Sequence, residues 1–327
     1  MRVGLVGPVA NDYLADNIAA ALQSMGLNAL LLGPAVPDVS WRPLRMIVDV
    51  AKQASPSVEA RLERSLVASA IDSKCDVVIS VDHRLSPAAV AAMRKAGCTV
   101  ALWFPDAVSN LGNLTMFRAP YSAYFFKDPL LVDRLNDVYG IRAYYLPEAC
   151  NPQWHRPIGT PGRDPHIAVV GNIYPTRTHL LERLLDAGIP LRVHSGGRPK
   201  PMPGFRAAEL PIGPFVAREE KSRVFHEARA VLNNLHPAEM MSLNCRLFEA
   251  AAAGAVVLCE DRPALRESFV PGKEVGSFAR FDELVELATA ALDRPDDFTS
   301  MRSAGAARAR ADHTYEVRLT EMLGRLA

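Results

Sequence analysis

The sequence predicts an α/β protein made of two Rossmann-like domains, each built on a parallel sheet. Short apolar runs alternate with helical stretches along the chain, and these runs are continuous rather than interrupted by polar residues. Continuous runs are typical of parallel strands that are covered on both faces. The chain has 327 residues, which is more than one typical core accommodates. Residues 147–165 are rich in proline and glycine, and they separate the strands and helices of the first domain from those of the second.

In the first half, strands are predicted at residues 2–6, 27–32, 76–81, 99–104, 121–126 and 143–146. A helix is predicted over 12–25, and a long helical region then runs to about residue 73. Ser55-Pro56 interrupts this region, because proline disfavours helix in the residue before it. Ser86 is predicted to cap a helix whose first residue is Pro87. Loops are expected at 33–43 and from Asp106 to Asn113.

In the second half, the same alternation starts again. Strands are predicted at residues 166–170, 191–194, 230–232, 255–259 and 275–278. Helices are predicted near residues 178–187, 218–227, 244–253, 264–269, 281–292 and from 295 to the end. A long loop rich in glycine and proline fills residues 195–214.

The composition is that of an ordinary soluble protein, with 49% apolar and 22% charged residues. The 37 basic and 36 acidic residues give a net charge of +1, so no nucleic-acid partner is expected. We also expect no membrane span, because no apolar run is long enough, and no signal peptide. Five cysteines without CxxC spacing favour reduced thiols in the cytoplasm over a zinc site. The oligomeric state is not predictable from these features.

The stretch 233–259 is the strongest candidate for a phosphate site. An apolar run leads into a polar loop, and Asn244 is placed to cap an alanine-rich helix that Gly254 ends. In open α/β sheets, ligands bind at the carboxyl ends of the strands. The N-terminus of a helix at that edge offers unpaired N–H groups and partial positive charge to a phosphate.

The same stretch carries a family resemblance. Its residues include Asn244-x-Arg246-x-Phe248-Glu249-Ala250, followed by Ala253-Gly254-Ala255 and by Pro271-Gly272-x-Glu274. Flanking segments agree, namely VGNIYPTR at 170–177, YLPEACNPQWHRP at 145–157 and HTYEVR at 313–318. This pattern resembles the CgeB-like (spore maturation protein) glycosyltransferases, relatives of the group-1 nucleotide-sugar glycosyltransferases. The resemblance is weaker over residues 1–140.

The resemblance implies the GT-B fold, in which two Rossmann-like domains with parallel sheets face a central cleft. Residues 1–155 would then bind the acceptor and residues 156–310 the nucleotide sugar. Residues 311–327 would form a helix that packs back on the N-terminal domain. The implied reaction moves a sugar from a nucleoside-diphosphate sugar to an unidentified acceptor, with no metal and no further cofactor. A nucleotide-sugar epimerase and a non-catalytic nucleotide-binding protein are the alternatives.

Three residues of the second half carry the nucleotide-binding hypothesis. By position in the family, Glu249 would hold the ribose hydroxyls; the alternative is a solvated glutamate on a surface helix. Arg246 lies in the first turn of its helix, where a cation opposes the helix dipole, so a bound anion explains it better. Arg177 follows Gly171 by six residues, where related enzymes have a diphosphate-binding lysine. Its alternative is a surface arginine that caps a helix.

Other candidates for nucleotide-sugar contacts surround these three. The sequence departs from the wider superfamily at the residue that contacts the donor sugar. Met241 stands where that superfamily has a glutamate, and Glu239, two residues earlier, is the candidate that remains. The remaining candidates lie in the loops that precede the two helices, and they are Asn172, Ser242, Leu243 and Asn244.

In the first half, the base that activates an acceptor hydroxyl should follow a strand. Asp106 and the pair Asp82-His83 fit that position. The structural alternative is a turn-forming aspartate for Asp106 and a histidine bonded to the backbone for His83. Asn11 and Asp12, after the first strand, are candidates for contacts to acceptor or phosphate, or for helix capping. If the enzyme retains configuration, the donor phosphate itself can serve as the base.

Overall fold

The chain forms two compact units. In this computed structural model, residues 1–36, 42–106, 114–197, 206 and 209–327 are described, so parts of the predicted loops at 33–43, 106–113 and 195–214 lie outside the described residues. The N-terminal unit comprises Met1–Pro147 together with Tyr315–Ala327, and the C-terminal unit comprises Glu148–Thr314. Within the described residues, no helix has the length and hydropathy that a membrane span requires. All five cysteines are free thiols.

The N-terminal unit contains a parallel sheet that has six strands among the described residues, in the order β2-β1-β3-β4-β5-β6. The strands are β1 Arg2–Val6, β2 Asn28–Gly33, β3 Val77–Ser80, β4 Thr99–Phe104, β5 Ala123–Phe126 and β6 Ala143–Tyr145. The helices are α1 Leu14–Ser24, α2 Arg42–Ala54, α3 Pro56–Asp72, α4 Pro87–Lys95, α5 Pro129–Asp137 and, from the end of the chain, α12 Tyr315–Leu326. Strands β3 and β5 are buried along their whole length, as their uninterrupted apolar sequences predict.

Two helices among the described residues of this unit start with a side-chain cap, and the cap by Ser86 was predicted. Ser86 Oγ accepts a hydrogen bond from the Ala89 amide at 3.0 Å, and Pro87 is the first residue of α4. Asp128 Oδ1 likewise accepts from the Leu131 amide at 3.1 Å ahead of α5. Each cap satisfies an amide that has no partner inside its helix.

The C-terminal helix α12 belongs to the N-terminal unit. The Tyr315 ring lies 6.0 Å from the Trp103 ring, centroid to centroid. Arg318 Nε donates to the Pro147 carbonyl at 3.2 Å, and Ser24 Oγ donates to Glu316 Oε1 at 2.9 Å. The helix is therefore joined to this unit by aromatic packing and by hydrogen bonds.

The C-terminal unit contains a second parallel sheet, six-stranded among its described residues, in the order β12-β11-β10-β7-β8-β9. The strands are β7 Asp164–Val170, β8 Leu191–His194, β9 Ile212–Gly213, β10 Ala228–Asn233, β11 Val257–Glu260 and β12 Gly276–Phe278. The helices are α6 Pro175–Asp186, α7 Arg218–Glu227, α8 Cys245–Ala252, α9 Pro263–Ser268, α10 Phe281–Asp293 and α11 Thr299–Asp312.

Strands β7 and β10 are neighbours at the centre of this sheet, with Val231 opposite Ala168. Their carboxyl ends lead into the loops before α6 and α8, so residues far apart in sequence meet at one edge of the sheet. Helix α8 is buried from Leu247 to Ala252, because its alanines let it pack closely against the sheet. This packing fixes the position of the loop that precedes α8.

Candidate active site in the C-terminal unit

The turn after β7 is shaped to receive the side chain of Arg246. Gly171 has φ +112, a conformation that L side chains rarely adopt. A Cβ added at Gly171 would lie 3.1 Å from Arg246 Nη1 and 3.4 Å from its Cδ. Glycine therefore gives both the backbone conformation of the turn and the room that the arginine occupies.

Arg177 lies in the first turn of α6 and is 1% exposed, so the alternative of a surface arginine is wrong. Its Nε donates to Asn234 Oδ1 at 2.8 Å, Nη1 donates to the Asn172 carbonyl at 2.9 Å, and Nη2 donates to the Asn234 carbonyl at 3.1 Å. The guanidinium thus ties the loop after β7 to the loop after β10. The exposed side chain of Asn172 contributes nothing to these three bonds.

The two arginines form a concentration of positive charge. Burial, together with the smaller effect of the nearby charge of Arg246, lowers the pKa of Arg177 to about 10. Among the described residues, Arg246 Nε is buried and has no hydrogen-bond partner. Two like charges and a buried donor are unfavourable in isolation. A bound anion would offset both of these costs.

Glu239 and two aromatic side chains border this charge. Glu239 is 6% exposed and raises the pKa of Tyr174, after the larger effect of burial. The Tyr174 ring lies 4.8 Å from the His236 ring, and its hydroxyl accepts from Asn234 Nδ2 at 3.1 Å. Met241 is half-buried. Glu239, and not the residue at position 241, therefore supplies the carboxylate close to Arg177 and Tyr174.

The N-terminus of α8 lies beside this cluster, but it is not capped as predicted. Asn244 occupies the N-cap position with extended backbone, yet its side chain makes no capping bond. The Leu247 amide, which a cap would bind, instead donates to the Asn244 carbonyl at 3.3 Å. Both polar atoms of the Asn244 side chain are buried, with no hydrogen-bond partner among the described residues. Ser242 is buried, and the Leu243 side chain lies in the hydrophobic core, so only the Leu243 backbone can face a ligand.

Glu249 is not a surface residue, so that alternative is wrong. It is 1% exposed, one turn into α8. Lys221 of α7 places Nζ 2.8 Å from Glu249 Oε2. His155 Nε2 lies 3.7 Å from Oε1. Neither neighbour was predicted, since Lys221 falls in a charged helix that resembles a solvated face, and His155 falls in the proline-rich segment.

The candidates of the N-terminal unit lie at the ends of its strands. Asp106 is exposed after β4, and its charge acts on His83, although burial is the main effect and lowers the pKa of His83. The His83 ring packs edge-on against Phe104 at 5.4 Å. Asp82, by contrast, is held by Arg84 through two side-chain bonds of 2.9 and 3.0 Å.

Asn11 and Asp12 lie in the turn between β1 and α1. Asn11 is exposed. Asp12 has φ +68, which aspartate tolerates better than most residues, and its amide donates to Asp16 Oδ2 at 2.9 Å. Tyr13, rather than either of them, occupies the N-cap position of α1, so the capping alternative is wrong for both.

Comparison with known proteins identifies a family pattern in part of the chain and proteins of similar fold. Residues 177–324 match a family model described as glycosyl transferase-like. Sucrose-phosphate synthase from Thermosynechococcus elongatus is similar in structure, with 12% sequence identity, TM-score 0.67, and coverage of 99% of this chain and 97% of that one. HepE from Anabaena, in complex with UDP and glucose, has 13% identity, TM-score 0.65, and coverage of 99% of both chains.

A glycosyltransferase from Rickettsia africae has 12% identity and TM-score 0.64, and the match covers 99% of this chain and 97% of that one. No curated protein sequence matches the chain. At such identities the structural likeness establishes the fold. The chain therefore has the GT-B glycosyltransferase fold, and its residues 177–324 carry the sequence pattern of the glycosyl transferase-like family.

Proposed function

We propose that the protein transfers a sugar from a nucleoside-diphosphate sugar to a hydroxyl acceptor. One observation carries the proposal, the convergence of Arg246, Arg177 and the N-terminus of α8 at the end of β7. A diphosphate leaving group gains negative charge as the glycosidic bond breaks. Preorganised donors stabilise that charge, and one such donor typically contributes about 3 kcal/mol.

The individual residues have distinct roles in this proposal. Arg246 and the α8 amides bind the diphosphate, while Arg177 fixes the loops around it. Glu249 binds the ribose hydroxyls, since a carboxylate accepts two hydrogen bonds. Asn244, buried with unused donor and acceptor atoms, contacts the donor. Glu239 is assigned to the sugar, because it supplies a carboxylate beside Tyr174 and Arg177.

Three finer assignments belong to the same proposal. The closer kinship is with CgeB-like enzymes, supported by the Asn244-x-Arg246-x-Phe248-Glu249-Ala250 pattern. The transfer needs no metal, because arginines and a helix N-terminus supply the positive charge. The protein acts in the cytoplasm, a location that five free thiols support.

The nucleotide assignment is tested by thermal unfolding with UDP, because HepE is known in complex with UDP. UDP at 100 times its dissociation constant should stabilise the protein by about 2.7 kcal/mol, and equally so with EDTA present. Other nucleoside diphosphates serve as comparison. A protein that no nucleoside diphosphate stabilises has no such site. Conversion of UDP-glucose to an epimer without acceptor would favour the epimerase alternative, and binding without any turnover would favour the non-catalytic one.

The acceptor base is assigned to Asp106 of the N-terminal unit. Asp106→Asn should lower hydrolysis of UDP-glucose, in which water replaces the acceptor, by about 10²- to 10⁴-fold. The affinity for UDP should stay unchanged, because Asp106 does not belong to the unit that binds the nucleotide in this proposal. His83→Asn is the matched comparison, since a half-buried histidine with lowered pKa is neutral at pH 7 and can also accept a proton. Hydrolysis by Asp106→Asn at the wild-type rate would transfer the role to His83 or to the donor phosphate.

A further inference from the structure

The ion pair between Lys221 and Glu249 joins two helices in the interior of the C-terminal unit. Lys221 Nζ lies 2.8 Å from Glu249 Oε2, and the two side chains are 8% and 1% exposed. Removing both charges from water is costly, and apolar residues in their place are often as stable or more stable. Stability alone therefore does not explain why α7 places a lysine at this position.

The geometry of the pair leaves part of the carboxylate available. Each carboxylate oxygen offers about two lone-pair sites. Lys221 pairs with Oε2 through its charge, and this buried oxygen accepts no hydrogen bond among the described residues. On the other side, His155 Nε2 stands 3.7 Å from Oε1, which is too long for a hydrogen bond. Lys221 thus fixes the orientation of the carboxylate, while both oxygens retain sites that can accept from neighbouring hydroxyls.

The position of Lys221 is fixed by the backbone of α7 and by the packing of that helix. Its amide donates to the Ala217 carbonyl at 3.3 Å in the first turn of α7. One turn later, Phe225 is fully buried in the core cluster that also contains Leu247 and Phe248 of α8. Because the two helices share this core, the distance between Lys221 and Glu249 is set by packing on both sides of the ion pair.

We infer that Lys221 is a positioning residue that orients Glu249 to accept both hydroxyls of a ribose. This inference rests on the proposed nucleotide site and extends it, since it assigns selectivity for ribonucleotides to a residue outside the family pattern. The two hydroxyls of a cis-diol need two acceptors in a fixed relative position. A carboxylate that rotates freely offers them only part of the time and so discriminates less.

The experiment measures binding of UDP and of 2′,3′-dideoxy-UDP by calorimetry. The wild-type protein should prefer UDP by about tenfold or more, which is the effect of one well-placed charged hydrogen bond. In Lys221→Met this preference should fall to about twofold or less, through loss of UDP affinity alone. Lys221→Arg, which retains charge and donors, should keep most of the preference. Lys273→Met makes the same chemical change at an exposed turn and should bind as the wild type does.

The outcomes distinguish failure of the positioning role of Lys221 from failure of the proposed nucleotide site. A wild-type preference that persists in Lys221→Met overturns the positioning role. Equal weakening of both ligands in that variant also overturns it, because a general disturbance of the fold would affect them alike. If Lys221→Met does not fold, Lys221→Ala, which also removes the charge and the donors, gives the same comparison. A wild-type protein that binds UDP no more tightly than 2′,3′-dideoxy-UDP refutes the ribose assignment of Glu249. A wild-type protein that binds neither ligand refutes the nucleotide site itself. Either result also overturns the positioning role of Lys221.

Discussion

Arg246→Ala should abolish most nucleotide affinity while leaving the free protein as stable as the wild type or slightly more so. The affinity for UDP should fall about 10- to 100-fold, because a hydrogen bond between charged groups contributes about 1.5–3 kcal/mol. The free protein loses a cation from the N-terminal turn of α8, which is worth about 0.3–1 kcal/mol. It also loses a buried Nε that has no partner among the described residues and the repulsion with Arg177.

The measurements are UDP titration and urea unfolding without ligand. Arg223→Ala is the matched control, because Arg223 is an exposed arginine in the middle of α7, and its removal should change stability by no more than about 0.5 kcal/mol. Inorganic pyrophosphate serves as a second probe and should lose affinity in parallel with UDP. An Arg246→Ala protein that binds both ligands normally would show that the two arginines have a structural purpose only.

Much of this fold was predictable because the sequence signals are local. Continuous apolar runs predicted the parallel strands. Pro56 predicted a break between two helices and Pro87 a helix start, and the structure confirms both. Helix α8 was predictable for the same reason, since Gly254 and the alanines before it define its end. Each of these features depends on residues close together in the chain, and their physical effects do not require the tertiary structure.

The parts of the site that were missed depend on contacts between distant residues. Lys221 lies in a helix with the sequence REEKSRVFHE, whose charges are typical of a solvated face. Only the packing of α7 on α8 brings it to Glu249. The capping of α8 by Asn244 was wrong for a similar reason, because a backbone turn to Leu247 replaces the side-chain bond. The hydrogen bond from Arg177 to Asn234 likewise joins positions 57 residues apart.

Glu249→Leu should destabilise the protein strongly, whereas the double variant Lys221→Met/Glu249→Leu should recover most of that loss. The single change leaves Lys221 buried without its carboxylate, and breaking such a pair typically costs about 3–5 kcal/mol. Replacing both members by apolar side chains removes the uncompensated charge, and such replacements are often neutral or stabilising by about 1–4 kcal/mol. Urea unfolding of the four proteins of this cycle gives the coupling between the two positions.

Nucleotide binding should not recover with stability. Both Glu249→Leu and the double variant lack the acceptor for the ribose, so each should bind UDP weakly even though only one of them is unstable. This separation of stability from affinity would show that the buried pair is retained for ligand binding, since an apolar pair serves the core equally well. If the double variant is as unstable as Glu249→Leu, the interior around α7 and α8 depends on the ion pair for its packing. The pair would then be explained by folding rather than by the ribose.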